Sequence, residues 1–265
     1  MNIIKELRDK CGAGVSDCKK ALDEVGGDME KAIEILRKKG IAKAAKRGDR
    51  ETSEGMILVD INKEGNEGYI LEINSETDFV ARNDKFQSFA GDIFEMIKSG
   101  KIAVRGELTA AVMDDGHTVR ENLESLSGVI GEKLVIKRFD ILSGGTVAAY
   151  SHMDGRIGVL AALSKAGERD LARDIAMQIA AANPKYISPA DVPAEEIEKE
   201  KEIYAEQLRK EGKSEEIVNK IMAGKLNKYY EEVCLVKQEY IKDDKKRVED
   251  ILGGAKVEKF MRYSL

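Results

Sequence analysis

MILVDINKEGNEGYILEINSETDFVARNDKFQSFAGDIFEMI, residues 56–97, changes from a repeat of two to a repeat near 3.6 and so sets a hairpin directly before a helix. Met56 and Leu58, then Ile70 and Glu72, alternate on either side of the polar turn Lys63-Glu64-Gly65-Asn66-Glu67-Gly68. Beyond them Asp84 is placed to cap a helix whose Phe86, Phe89, Ala90, Ile93 and Ile97 share one face, which gives the hairpin something to pack against. Sheet and helix in this order predict an α+β fold. Between the two lies Ser75-Glu76-Thr77-Asp78-Phe79-Val80-Ala81-Arg82-Asn83. There Phe79 follows Asp78 directly, with Thr77, Arg82 and Asn83 around them, whereas ordinary turn chemistry favours Gly, Pro, Asn or Asp without a large aromatic. Two readings stand side by side: an exposed recognition tip, or Phe79 and Val80 as the first core residues of the following helix.

The same order recurs downstream. Strand patterns at 133–142 and 146–152, joined through Gly144-Gly145, and another at 156–163 precede a helix at about 168–182, so two α+β subdomains with antiparallel sheets are expected. The three prolines Pro184, Pro189 and Pro193 place a change of architecture near residue 188. Residues 193–210 then carry Ile197, Tyr204 and Leu208, and Ser214 opens a second helix with Ile217, Ile221 and Leu226. Joined by Glu211-Gly212-Lys213, they predict an antiparallel helical hairpin with a thin apolar seam. The tail, including Val233–Val236 and Val257–Tyr263, is expected to return to the sheet.

Upstream, residues 1–39 predict three short helices. Ile3, Ile4 and Leu7 mark the first, and Val15, Cys18, Leu22 and Val25 the second. Asp28 caps a third that carries Met29, Ala32, Ile33 and Leu36 and is expected to stop at Gly40. Residues 40–54 read as a linker. The expected division is 1–54 for the three-helix module with its linker, 55–187 for the core, 188–230 for the helical hairpin and 231–265 for the return to the core. A module of about forty residues is marginal alone and calls for a surface to dock on or a partner to bind.

Composition narrows the function by exclusion. With 44 basic against 49 acidic residues the net charge is −5, which argues against a general grip on nucleic acid. The basic run Lys38-Lys39, Lys43 and Lys46-Arg47 has no interleaved aromatics and reads as a solvated face. Three cysteines, Cys11, Cys18 and Cys234, form no disulfide framework and suit a reducing compartment. No signal peptide, transit peptide or long apolar span is legible, so a soluble cytoplasmic protein without membrane contact is expected, and a processed organellar product would look the same. His117 and His152 lack metal-site spacing, so neither a metal nor a cofactor is expected. Cys11 and Cys18, across the Gly12-Ala13-Gly14 turn, read as core packing rather than as ligands or redox partners. That turn lacks the third glycine of a dinucleotide fingerprint and the ending of a P-loop. With no acid and base pair to choose among the carboxylates, no enzyme is expected.

Several tracts in order resemble the elongation factor Ts family. They are Leu7-Arg8, Gly12-Ala13-Gly14, Asp17-Cys18-Lys19-Lys20-Ala21-Leu22 and Gly27-Asp28 with Leu36-Arg37-Lys38-Lys39-Gly40. Thr77 to Asn83, Phe86-Gln87-Ser88-Phe89-Ala90, Tyr150-Ser151-His152 and Arg156-Ile157-Gly158-Val159-Leu160 follow. The resemblance runs from residue 2 to about 263. It implies a guanine nucleotide exchange factor that binds GDP-bound and nucleotide-free elongation factor Tu and promotes GDP release. It also implies that the first module is a ubiquitin-associated-like head touching the partner's nucleotide-binding domain. The Thr77, Asp78, Phe79, Val80, Ala81, Arg82 and Asn83 segment would wedge near the partner's magnesium and phosphate site. Gly12, Ala13, Gly14 and His152 are implied as further contacts, with His152 toward the partner's third domain. Relatives use the helical hairpin for self-association, which makes a homodimer a candidate state. Two departures stand out: Cys11 occupies a position where Thr or Ser is common, and the chain ends at Tyr263-Ser264-Leu265 where many relatives continue into a further helical module. The competing expectations are an adaptor that works through the three-helix module alone and, behind it, an RNA binder using residues 38–50.

Overall fold

The computed structural model describes residues 2–102, 104–211 and 214–265 and divides into two units. The first holds residues 1–58, 69–141 and 264–265, and the second holds 59–68 and 142–263. Gly212 and Lys213, the expected linker of the helical hairpin, lie outside the described residues.

The first unit opens with α1 (Asn2–Cys11), α2 (Val15–Glu24) and α3 (Met29–Ala45), which bury Leu7, Cys18, Ala21, Leu22, Ala32 and Leu36 in one small cluster. Asp28 caps α3 by accepting from the Lys31 N–H at 3.1 Å, as its position predicts. Gly40 does not stop α3. The helix runs five residues further, to Ala45, with Gly40 buried inside it. A glycine ends a helix when its left-handed conformation is used; Gly40 does not adopt it, and the helix continues through it.

Next come β1 (Glu54–Ile61) and β2 (Glu67–Ser75), the one-turn helix α4 (Asp78–Ala81) and α5 (Asp84–Lys98). Phe86, Phe89, Ala90, Ile93 and Ile97 of α5 are all buried, and each large side chain contributes roughly 1.5–3 kcal/mol of apolar transfer. The cap of α5 is Asn83 rather than Asp84: its Oδ1 accepts from the Lys85 and Phe86 N–H groups at 3.0 and 3.4 Å. β2 is the middle strand of the order β1-β2-β3, where β3 spans Val135–Ser143. Almost every residue of β2 is buried. Glu72 is 3 % exposed and accepts from Arg138 Nε of β3 at 2.7 Å, the pairing a buried carboxylate requires.

Residues 104–132 hold a 3-10 turn, Arg105–Ala110, and α6 (Val119–Ile130). Thr118 and Glu121 start α6 with a capping box, a spacing legible in the sequence. This helix receives the three-helix module. Gly40 of α3 and Gly128 of α6 approach so closely that a Cβ on Gly128 would lie 2.3 Å from the Gly40 Cα. Arg47 donates to the Ser127 carbonyl at 3.2 Å, and Lys133 Nζ donates to the Gly48 and Arg50 carbonyls at 2.6 and 2.7 Å. The segment expected to be a linker is therefore pinned at 47–50.

In the second unit, β4 (Thr146–His152), β5 (Ile157–Leu163) and β8 (Val257–Ser264) form the order β4-β5-β8, with β4 and β5 antiparallel in the register Tyr150 to Val159. α7 (Arg169–Ala182) lays Ala172, Ile175, Ala176 and Ile179 into the same core as Val159, Ala161 and Leu163. The chain leaves α7 through Asn183 in the left-handed region, immediately before Pro184, and Pro189 opens a short 3-10 turn before Pro193 caps α8 (Ala194–Lys210). α9 (Glu215–Val233) follows. Of the expected seam residues Leu208 is buried and Val218 joins it, whereas Ile217 is exposed. At the base of these helices Glu196 accepts from the Tyr186 hydroxyl at 2.6 Å and from the Tyr229 hydroxyl.

Val233–Val236 is not a strand. α9 runs through Val233, Leu235–Lys237 forms a 3-10 turn, and the Leu235 and Val236 N–H groups donate to the Tyr186 and Ile187 carbonyls. The tail continues through β6 (Glu239–Tyr240), β7 (Asp243–Arg247) and α10 (Val248–Ile251) before β8 joins the sheet, as its apolar pattern predicts. No helix among the described residues is long and apolar enough to cross a membrane.

Candidate functional site

β2 delivers the chain at Ser75, whose hydroxyl donates to the Thr77 carbonyl at 2.9 Å. Thr77 then begins the single turn of α4. Its N–H donates to Glu132 Oε2 at 3.0 Å and its hydroxyl to Glu132 Oε1 at 2.7 Å, so both carboxylate oxygens hold one residue. The other end is held by Asn83, which caps α5, and by Gln87, which donates to the Ala81 carbonyl at 3.1 Å.

Between these anchors a helical rotation of about 100° per residue separates neighbouring side chains. Val80 turns inward, at 5 % exposure, and joins the core with Phe86 and Ile93. Phe79 turns outward and is 80 % exposed, the highest value among the large hydrophobic side chains of the described residues. Val80 thus follows the core reading, and Phe79 is not a core residue. Asp78 and Arg82 form an ion pair at 3.2 Å one turn apart on the surface, too exposed to contribute much stability. Phe79 thus stands beside a charged pair on a turn that is held from both sides.

The turn has a second support, which sequence reasoning missed. Glu76 Oε1 accepts from the Lys133 N–H at 2.6 Å, and both its oxygens lie 3.2 Å from Arg50 Nη1. Burial opposes ionisation of Glu76, but the bonds from Lys133 and Arg50 outweigh it and hold the carboxyl below the ordinary range. Glu132 and Lys133 lie more than fifty residues from the turn they hold, and no local pattern links them to it.

Because the folded carboxyl is the stronger acid, the Glu76 contribution is complete above the ordinary carboxylate pKa of about 4.3 and is lost as pH falls through the lowered folded value. Wild-type urea midpoints should therefore drop as pH is taken below about 4.3, and Glu76→Gln should flatten that part of the profile. Parallel profiles for the two proteins would remove Glu76 from this role.

The remaining expected positions lie elsewhere. Gly12, Ala13 and Gly14 form the turn between α1 and α2. Gly12 has φ +73°, a left-handed conformation that calls for glycine, and the flexible end of Lys85 of α5 lies over it. His152, in the second unit, ends β4; its ring stacks on Tyr150 at 5.9 Å between centroids, and Nδ1 lies 3.2 Å from the Tyr150 hydroxyl. The left-handed residues Met153 and Asp154 follow, and Met153 is 60 % exposed.

The sequence profile of one protein family, described as Elongation factor TS, matches residues 76–265, well over half of the chain. The matched span begins at Glu76 and contains the whole of the anchored turn.

Proposed function

The chain belongs to the elongation factor Ts family of nucleotide exchange factors for elongation factor Tu in translation elongation, and we propose that its Asp78-Phe79 turn is the element that promotes GDP release. The observation that carries this reading is the division of labour between adjacent residues: Val80 is buried while Phe79 is held out at 80 % exposure. Leaving a phenylalanine in water forgoes roughly 1.5–3 kcal/mol of burial, and a rigidly held exposed aromatic can recover that energy against a partner.

Exchange requires tighter binding to the nucleotide-free partner than to its GDP complex, and the coupling is reciprocal. Each tenfold weakening of GDP takes about 1.4 kcal/mol of differential binding. Burial of Phe79 accounts for one or two decades. Further weakening is assigned to Asp78, whose carboxylate would disturb the magnesium ion that neutralises the nucleotide phosphates. Its pairing with Arg82 keeps the carboxylate at the surface without burying it.

Release of fluorescent GDP from elongation factor Tu, followed over a magnesium titration, tests this. Wild type is expected to accelerate release, and Asp78→Ala to accelerate it less, with the deficit largest at high magnesium. An Asp78→Ala protein matching wild type at every magnesium concentration would exclude the metal-directed role.

A further inference from the structure

The α1–α2 turn holds chemistry that the exchange reading does not use. Cys11 ends α1 and Cys18 lies within α2, and their Sγ atoms are 3.9 Å apart. The turn between them is tied to both sulfurs: the Ala13 N–H donates to Cys11 Sγ at 3.4 Å, and the Cys18 thiol donates to the Ala13 carbonyl at 3.5 Å. Both thiols are free. They differ in access, since Cys18 is fully buried whereas Cys11 is part-exposed and lines a cleft of about 800 Å³ with Asp9, Lys10, Lys85 and Val129.

We propose that Cys11 and Cys18 form an oxidisable dithiol site, in which a hydroperoxide attacked by the cleft-facing Cys11 converts the pair into a disulfide across the Gly12-Ala13-Gly14 turn. In the first step the Cys11 sulfur attacks one peroxide oxygen, the O–O bond breaks, and the second oxygen leaves with the thiol proton as water or alcohol. Cys11 is then a sulfenic acid. In the second step the Cys18 sulfur attacks the Cys11 sulfur, the S–O bond breaks, and the departing hydroxide takes the Cys18 proton to leave as water. Two thiols lose two electrons, and the peroxide gains them.

The geometry suits this order. A disulfide requires the sulfurs to close from 3.9 Å to about 2.05 Å, a movement within reach of side-chain rotation and a small shift of the turn. Burial, and then the neighbouring Cys11 thiol, push the Cys18 thiol up to about 11, so it stays protonated at neutral pH and suits the resolving rather than the attacking role. Cys234, the third thiol, is buried in the second unit and serves as an internal control. The sequence argued for plain core packing of Cys11 and Cys18. Both do join the helical cluster, but side by side and at the edge of a cleft.

The site belongs to the fold of the first module and does not depend on what the turn touches. Its test is chemical and uses the full chain. The native protein is treated with hydrogen peroxide, alkylated after unfolding and digested with trypsin, which releases Cys11 and Cys18 together in the peptide 11–19. Expected is a peptide lighter by two hydrogens that carries no alkyl group, returns to two alkylated thiols after dithiothreitol, and forms while Cys234 stays fully alkylatable. Cys11→Ser should keep Cys18 alkylatable under the same treatment. The proposal is overturned if peroxide leaves both thiols alkylatable, if the peptide gains oxygen instead of losing hydrogen, if the product is a disulfide between two chains, or if Cys11→Ser loses its Cys18 thiol as fast as wild type does.

Discussion

Phe79→Ala is expected to lower the stimulated rate of GDP release from elongation factor Tu by about ten- to a hundredfold while leaving the stability of the free protein within about 0.5 kcal/mol of wild type. Both halves follow from one feature, the 80 % exposure of Phe79. A side chain in water loses little when it is truncated in the free protein, so the whole cost falls on the complex. Val80→Ala should behave in the opposite way. Its side chain is 5 % exposed and packed in the main cluster of the first unit, so truncation costs on the order of 1–3 kcal/mol of folding stability. Exchange by the folded fraction of that variant should change far less than with Phe79→Ala. Fluorescent GDP release and urea unfolding on the two variants separate the effects. Wild-type exchange by Phe79→Ala would refute the assignment of the tip.

Gly128→Ala is expected to destabilise the first unit by about 1–3 kcal/mol, and Gly128→Val by more, with separation of the three-helix module from α6. The direction is informative because glycine to alanine inside a helix ordinarily stabilises by roughly 0.5–1 kcal/mol. The reversal arises because the added Cβ meets backbone, 2.3 Å from the Gly40 Cα and 2.6 Å from its carbonyl oxygen, and backbone cannot rotate away. Gly91 of α5 provides the control: nothing lies within 4 Å of its added Cβ, so Gly91→Ala should stabilise. Urea unfolding reads the energies, and limited proteolysis at residues 46–53 reads the separation. If Gly128→Ala stabilises as Gly91→Ala does, α3 and α6 do not cross as closely as described.

What could be read beforehand was local. The face of α5, the cap at Asp28, the return of Val257–Tyr263 to the sheet and the break after α7 each depend on residues a few positions apart, so periodicity, capping and proline chemistry are enough to find them. The misreadings were cases where a distant element overrode a local signal. Gly40 carries a stop signal, but α3 continues through it and its backbone packs against Gly128 of α6. Val233–Val236 is apolar enough for a strand, but the Tyr186 and Ile187 carbonyls take the Leu235 and Val236 N–H groups into a 3-10 turn.

The candidate site divides along the same line. Sequence alone marked Thr77 to Asn83 as unusual, because an aromatic beside an acid contradicts turn chemistry, and the flanking motifs led to the family that residues 76–265 match. Sequence could not choose between Phe79 and Val80, since both are apolar and adjacent. Tertiary structure made that choice: Glu132 and Asn83 fix the two ends of a single helical turn, and a rotation of about 100° between neighbours then sends one side chain to the core and the other to water.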